Sequence, residues 1–248
     1  MIHRRLIVVL ALVCVTCKQA PQKPAQSAAG GGPQVRATVV TVRTVITPAD
    51  RTFTQTLVIA NDRARFTGEQ DTWRLYDLKG RRVTFVDDVA KTHRTASLSE
   101  LSKSRQATLA TALPPHYPRV TLRPTDETKP LLGVNAKQTV IDLGGYKRQL
   151  WIGDHPAIPD ELFSMMQVSD PPSSPLAPMM RTADAALASV RGFPLLDRSE
   201  VTYGKTQHIV ERTVLSVVQK DVPAALLEIP RDYDDRTPKP AAAAGKKK

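Results

Sequence analysis

Between Gln34 and Arg236 apolar and polar positions alternate with a period of two, and the alternating runs are rich in β-branched residues. This is the pattern of half-buried strands. It predicts strands at Gln34–Thr47, Phe53–Ala60, Trp73–Asp77, Arg82–Val86, Lys91–Thr95, Val120–Arg123, Lys137–Leu143, Tyr146–Ile152, Phe193–Tyr203 and Gln207–Gln219. Short turn sequences join several of them: Leu78-Lys79-Gly80, Asp87-Asp88, Gly144-Gly145 and Gly204-Lys205. Connections this short imply antiparallel pairing.

Three stretches break the alternation with helical spacing. Ser97–Ala112 opens on Ser97-Leu98-Ser99-Glu100, a capping box, and places Leu98, Leu101 and Leu109 on one stripe. Asp160–Gln167 presents Leu162, Phe163, Met165 and Met166. Thr182–Arg191 presents Ala186, Leu187 and Val190 and stops at Gly192, with Pro194 soon after. The order of strands, helix, strands, helices and strands predicts a mainly β, α+β fold. Its form is a curved antiparallel sheet, or unclosed β-barrel, with helices covering the concave face. A split α+β sandwich is the alternative.

The two ends follow other rules. Arg4-Arg5 and the apolar run Leu6–Val15 have the make-up of a signal peptide, and the run is too short to span a bilayer. Cys17 follows the run directly and precedes the Pro/Ala/Gln/Gly-rich residues 18–34. That layout predicts a lipoprotein signal over 1–17, lipidation at Cys17, and a disordered tether. An ordinary secretory signal cut around Ala20 or Ala25 is the competing expectation. Residues 237–248 predict a disordered basic tail, leaving one β domain over 35–236.

Net charge is +11, but Arg4, Arg5, Lys18, Lys23, Lys239, Lys246, Lys247 and Lys248 lie in the flanking segments, leaving +3 for residues 34–236. A nucleic-acid groove needs its basic residues clustered on the fold, so nucleic acid is not an expected partner. Both cysteines, Cys14 and Cys17, are N-terminal. The domain therefore has no disulfide, zinc-thiolate site or cysteine nucleophile.

The block Pro130-Leu131-Leu132-Gly133-Val134-Asn135-Ala136-Lys137, then Leu150-Trp151-Ile152-Gly153, Gly192-Phe193-Pro194-Leu195, and Ile229-Pro230-Arg231-Asp232-Tyr233 together resemble bacterial envelope domains related to the LolA/LolB/RseB lipoprotein-carrier fold. The cysteine usual in the Leu-Gly block is here Asn135 or Ala136. The resemblance implies an unclosed barrel, no catalytic residues, and carriage or sensing of acyl chains or acylated proteins.

No nucleophile elbow, zinc-protease helix or phosphate loop is present. His93, His116, His155 and His208 are scattered, and Asp87-Asp88 reads as turn chemistry rather than as an acid pair. Neither a metal nor a cofactor is expected, and the chain reads as a non-enzyme. Candidate ligand contacts are Trp73, Phe85, Leu98, Leu101, Trp151, Phe163, Met165, Met166, Met179 and Met180. The methionine pairs suit an adaptable apolar cover. The reading is an exported envelope lipoprotein, held to a membrane by its N-terminal lipid, that binds an apolar ligand or an acylated partner. A structural lipoprotein with a filled core, scaffolding an envelope complex, is the alternative.

Overall fold

The structure, a computed structural model, describes residues 32–68, 71–112, 120–143, 145–169, 182–183 and 186–238. The expected signal peptide, Cys17, almost all of the tether, His116, Met179, Met180 and all but the first two residues of the basic tail lie outside the described residues.

The first six strands form a meander: β1 (Gln34–Thr47), β2 (Arg51–Ala60), β3 (Arg63–Thr67), β4 (Thr72–Asp77), β5 (Arg82–Asp87) and β6 (Thr92–Ser97). Helix α1 (Leu98–Ala112) follows. A second meander comprises β7 (Arg123–Leu131), β8 (Val134–Leu143), β9 (Tyr146–Gly153), β10 (Phe193–Tyr203) and β11 (Thr206–Pro223), with helix α2 (Leu162–Ser169) between β9 and β10. Strand β1 pairs antiparallel with β11 from Gln34↔Pro223 to Thr47↔Ile209 and so fuses the meanders into one sheet. The order is β12-β6-β5-β4-β3-β2-β1-β11-β10-β9-β8-β7, with β12 at Asp234–Asp235. The sheet is open and mainly antiparallel; β12 pairs with β6 in parallel. One continuous sheet replaces the sandwich alternative.

Local chemistry accounts for the elements. The capping box forms: Ser97 N donates to Glu100 Oε2 (2.9 Å) and Glu100 N to Ser97 Oγ (3.2 Å), satisfying two donors at the start of α1. The bonds that the Ser97 backbone N–H and, at 2.8 Å, the Ser97 hydroxyl donate to Glu100 Oε2 hold that carboxyl below the usual range. In the turn after β5, Ala90 N donates to Asp87 Oδ1 at 2.8 Å. Of the third expected helix, Thr182–Ala183 and Ala186–Leu187 are helical, and a turn at 188–189 ends the segment before Arg191. Gly192 has φ +83°, and a Cβ there would meet Ile152 Cγ2 at 2.8 Å. The position therefore selects glycine on both counts.

The core has two sides. On one face Val40, Val42, Leu57, Ile59, Tyr76, Val83 and Leu150 pack with Leu98 of α1, Leu162, Phe163 and Met165 of α2, and Ala183, Leu187 and Val190. On the other, Ala37, Val39, Val58, Ala60, Trp73, Leu75 and Val86 pack against Leu227, Ile229 and Tyr233. This second face is covered by the C-terminal segment, a 3-10 turn at Ala224–Leu227 running into β12. Arg63 Nη1 donates to Leu227 O (2.8 Å) and Arg65 Nη1 to Leu226 O (3.2 Å). Trp73 Nε1 (2.7 Å) and Tyr233 OH (3.0 Å) both donate to Asp88 Oδ1.

One expectation, the end of the domain at 236, is corrected here. Asp234-Asp235 pairs in parallel with β6. The fold also continues past Arg236: Arg236 N donates to His93 O (2.7 Å), and Thr95 N donates to Thr237 Oγ1 (2.9 Å). At the opposite edge β7 carries Pro124, Asp126, Glu127, Lys129 and Pro130, residues that discourage further strand pairing.

Candidate functional site

Between the helix-bearing face of the sheet and α2 lies a cavity of about 770 Å³, within the range of small-molecule sites. Its apolar wall combines Val42, Phe66, Phe85, Tyr146, Val210 and Val214 from the sheet with Phe163 and Met166 from α2 and Phe193 from the start of β10. Phe163 and Phe193 meet edge to face, with ring centroids 6.3 Å apart.

The polar part is unusual for an apolar groove. Arg148 on β9 is clamped to Asp197 on β10: Nε donates to Oδ1 and Nη2 to Oδ2, both at 2.8 Å. Arg148 Nη1 also donates to Gln167 Oε1 of α2 at 3.3 Å. Arg212, directly opposite Asp197 on β11, adds a 3.4 Å bond to Oδ2. The Arg148 and Asp197 side chains are only 8% and 7% exposed. Burial pushes the Asp197 carboxyl up, but the charges and hydrogen bonds of Arg148 and Arg212 outweigh it and hold the group below the usual carboxylate range. Asp197 is therefore ionised, and the cluster acts as a fixed polar pillar in the groove wall rather than as an acid or a base.

The candidate residues separate clearly. Phe85, Phe163 and Met166 line the cavity together. Trp73 borders it, but its ring belongs to the opposite face, stacked 3.9 Å from the Arg65 guanidinium carbon. Leu98, Leu101, Trp151 and Met165 are not among the lining residues. Leu98 and Met165 are core, and Trp151 packs beneath Lys129 Nζ at 4.5 Å. Helix α1 is tied to α2, where Arg105 Nη1 donates to Gln167 O at 2.7 Å. Neighbouring methionines on a helix point to different sides, so Met165 fills the core and Met166 meets the cavity.

Sequence reasoning missed Phe66, Arg74, Arg94, Arg148, Asp197 and Arg212, all of which line the cavity. The one available signal was an Asp on β10 facing an Arg on β11 across a predicted hairpin. Asp88 serves the structure through Trp73 and Tyr233, and His155 Nδ1 accepts from Ala157 N in a turn (3.3 Å). Among the described residues no group of three metal-ligating side chains forms.

No family model matches the chain, and neither does any curated protein. Among solved structures, PNGF-II is similar at 11% identity and TM-score 0.45 over 82% of this chain; the match spans 31% of the PNGF-II chain. An uncharacterised conserved protein from Thermus thermophilus is similar at 11% identity and TM-score 0.42, covering 82% of this chain and 90% of that one. A LolA superfamily protein from Nitrosomonas europaea is similar at 11% identity and TM-score 0.27, covering 80% and 91%. Likenesses this weak say nothing about activity.

Proposed function

We propose that the chain is a non-enzymatic protein of the cell envelope, exported and anchored through acylated Cys17, that binds an apolar tail in the groove between sheet and α2. That tail belongs to a lipid or to an acylated partner. The observation that carries this reading is the cavity itself: about 770 Å³, walled by sheet aromatics on one side and by Phe163 and Met166 on the other. A methionine on a short helix can repack around a flexible tail at little cost. Each methylene removed from water contributes about 0.8 kcal/mol. A ten-carbon stretch then contributes about 8 kcal/mol, from which the cost of association is subtracted.

The test is titration of the purified mature protein with a fluorescent fatty acid. Saturable binding is expected, and Met166→Lys should weaken it about tenfold or more while the far-ultraviolet circular dichroism spectrum stays unchanged. Met165→Lys is the contrasting variant and should disrupt the fold, because Met165 is buried in the core. Absence of saturable binding, with no lipid co-purifying, would overturn the reading and leave the scaffolding lipoprotein in its place.

A further inference from the structure

We infer that the groove takes an acyl chain with its carbonyl group inside, as a neutral ester or amide, and that the side-chain NH2 group of Gln167 donates to the carbonyl oxygen. The inference deepens the groove-binding reading above and rests on it.

The hydrogen bonds of one buried side chain carry the argument. Gln167 lies on α2 one turn after Phe163, so the two side chains share a helix face. Both line the cavity, and Gln167 is only 8% exposed. It is held from two sides: Arg105 Nη1 donates to its backbone oxygen at 2.7 Å, and Arg148 Nη1 donates to Oε1 at 3.3 Å. A guanidinium can only donate, so the branch facing Arg148 is the carboxamide oxygen and the NH2 group occupies the other. Arg148 is itself fixed, because Nε and Nη2 hold Asp197 at 2.8 Å each. Among the described residues the Gln167 NH2 group, with its two N–H donors, meets no acceptor. The one side-chain polar atom among them that is sealed in protein without a partner is His93 Nδ1. The Gln167 nitrogen therefore keeps accessible surface, and the cavity is the space that its side chain lines.

The sheet wall repeats the arrangement. Gln55 on β2 lines the cavity at 9% exposure. Its Oε1 accepts from the Thr44 hydroxyl at 3.0 Å, again leaving the NH2 group with no acceptor among the described residues. The neighbouring Asp197 oxygens are already taken by Arg148 and Arg212. A bare alkyl chain laid over these amides would strip water from N–H groups and give nothing back. A carbonyl oxygen has two lone pairs and no hydrogen, so it answers them. A carboxylate gives up far more hydration on burial, and the guanidinium bonded to the Gln167 side chain is already paired with Asp197. An ester or amide carbonyl loses less on entry, while its chain rests against Phe163 and Phe193.

The experiment uses the purified mature protein and probes of one chain length: methyl decanoate, N-methyldecanamide, decyl methyl ether and decanoate. Affinities are measured by isothermal titration calorimetry below the solubility and micelle limits. Wild type should bind the ester and the amide about fivefold or more tighter than the ether, as one net hydrogen bond predicts, and tighter than decanoate at neutral pH. Infrared spectra of carbonyl-labelled methyl decanoate should show the carbonyl band at lower frequency when bound than in a hydrocarbon solvent, a readout that needs no variant. Gln167→Glu keeps an oxygen for Arg148 and removes the NH2 group. It should bring the ester and the amide down to the affinity of the ether with an unchanged circular dichroism spectrum, and Gln167→Met should do the same. Equal binding of ester, amide and ether by wild type, or a carbonyl band at its hydrocarbon position, would overturn the inference and leave the groove reading standing. Tighter binding of decanoate than of the ester would overturn the requirement for a neutral carbonyl. A preference that survives in both Gln167 variants would overturn the assignment to Gln167. Failure of every probe to bind would overturn the groove reading and the inference together.

Discussion

Asp197→Asn is the most informative single change to the domain. The substitution keeps the shape of the side chain but removes the charge that two arginines share. Arg148, 8% exposed and bonded through Nε and Nη2, would then sit buried next to Arg212 with no carboxylate between them. Removing one partner of a buried ion pair costs about 3–5 kcal/mol. In a domain of this size each kcal/mol moves the melting temperature by about 2–4 °C, so a drop of ~6–20 °C is expected. Arg212→Gln should cost far less, ~1 kcal/mol or below, because that side chain is 44% exposed and its bond is long. Replacing both buried partners, Arg148→Met with Asp197→Leu, should recover most of the loss, since apolar side chains of similar volume need no charge compensation. The assay is urea unfolding followed by circular dichroism. It should be repeated across the acidic range, because the folded Asp197 carboxyl titrates below its unfolded value. A depressed carboxylate contributes stability that is fully present above the unfolded value, ~3.9. The contribution is lost as pH falls through the folded value. Wild type and Asp197→Asn should therefore converge as pH drops below ~4. A loss under ~1 kcal/mol at neutral pH, or a gap that widens on acidification, would refute the account of a pillar held by an ionised carboxylate.

Two further outcomes follow from the ends of the chain. Ending it after Arg231 removes the Lys91–Asp232 and Tyr233–Asp88 bonds and all of β12; at about 1 kcal/mol per net hydrogen bond this should cost ~3–4 kcal/mol by the same assay, whereas ending it after Pro238 should change stability by under ~0.5 kcal/mol. Metabolic labelling with a fatty-acid analogue should tag the wild type and not Cys17→Ser, and equal labelling of the two would exclude lipidation at that cysteine.

Where neighbouring segments decide the structure, the pattern was readable. The hairpin around Leu78-Lys79-Gly80, the Ser97–Glu100 capping box and the stop at Gly192 all follow from residues a few positions apart. Strand β3 was not readable, because Arg63 and Arg65 look solvated in sequence. In the fold they point to the carbonyls of Leu227 and Leu226, so a distant segment makes their polarity an inward-facing one. Strand β12 escaped for the same reason, as its partner β6 lies far back in the chain. In the site, Phe163 and Met166 could be read from helical spacing and Phe85 from its strand. The row of facing residues Phe66, Arg74, Phe85 and Arg94 could not, since it exists only once four strands are in register. A sequence gives each residue's strand but not the neighbours it meets across the sheet.

The fusion of the two meanders at β1 and β11 bears on how the chain must mature. The first strand to emerge is the one that ends up in mid-sheet, flanked by β2 on one side and by β11 on the other. Until the late hairpin arrives, the fourteen residues of β1 present an open, valine-rich ladder to the surroundings, a ready template for pairing with another chain. The back face carrying Val39, Val58 and Leu75 is likewise bare until the final segment reaches it. An N-terminal half delivered alone would be sticky on one flank and on its back at once, so N-to-C delivery builds no finished intermediate and the protein gains its soluble surface late. Pairing that waits until the late hairpin and the C-terminal segment are both available meets that requirement.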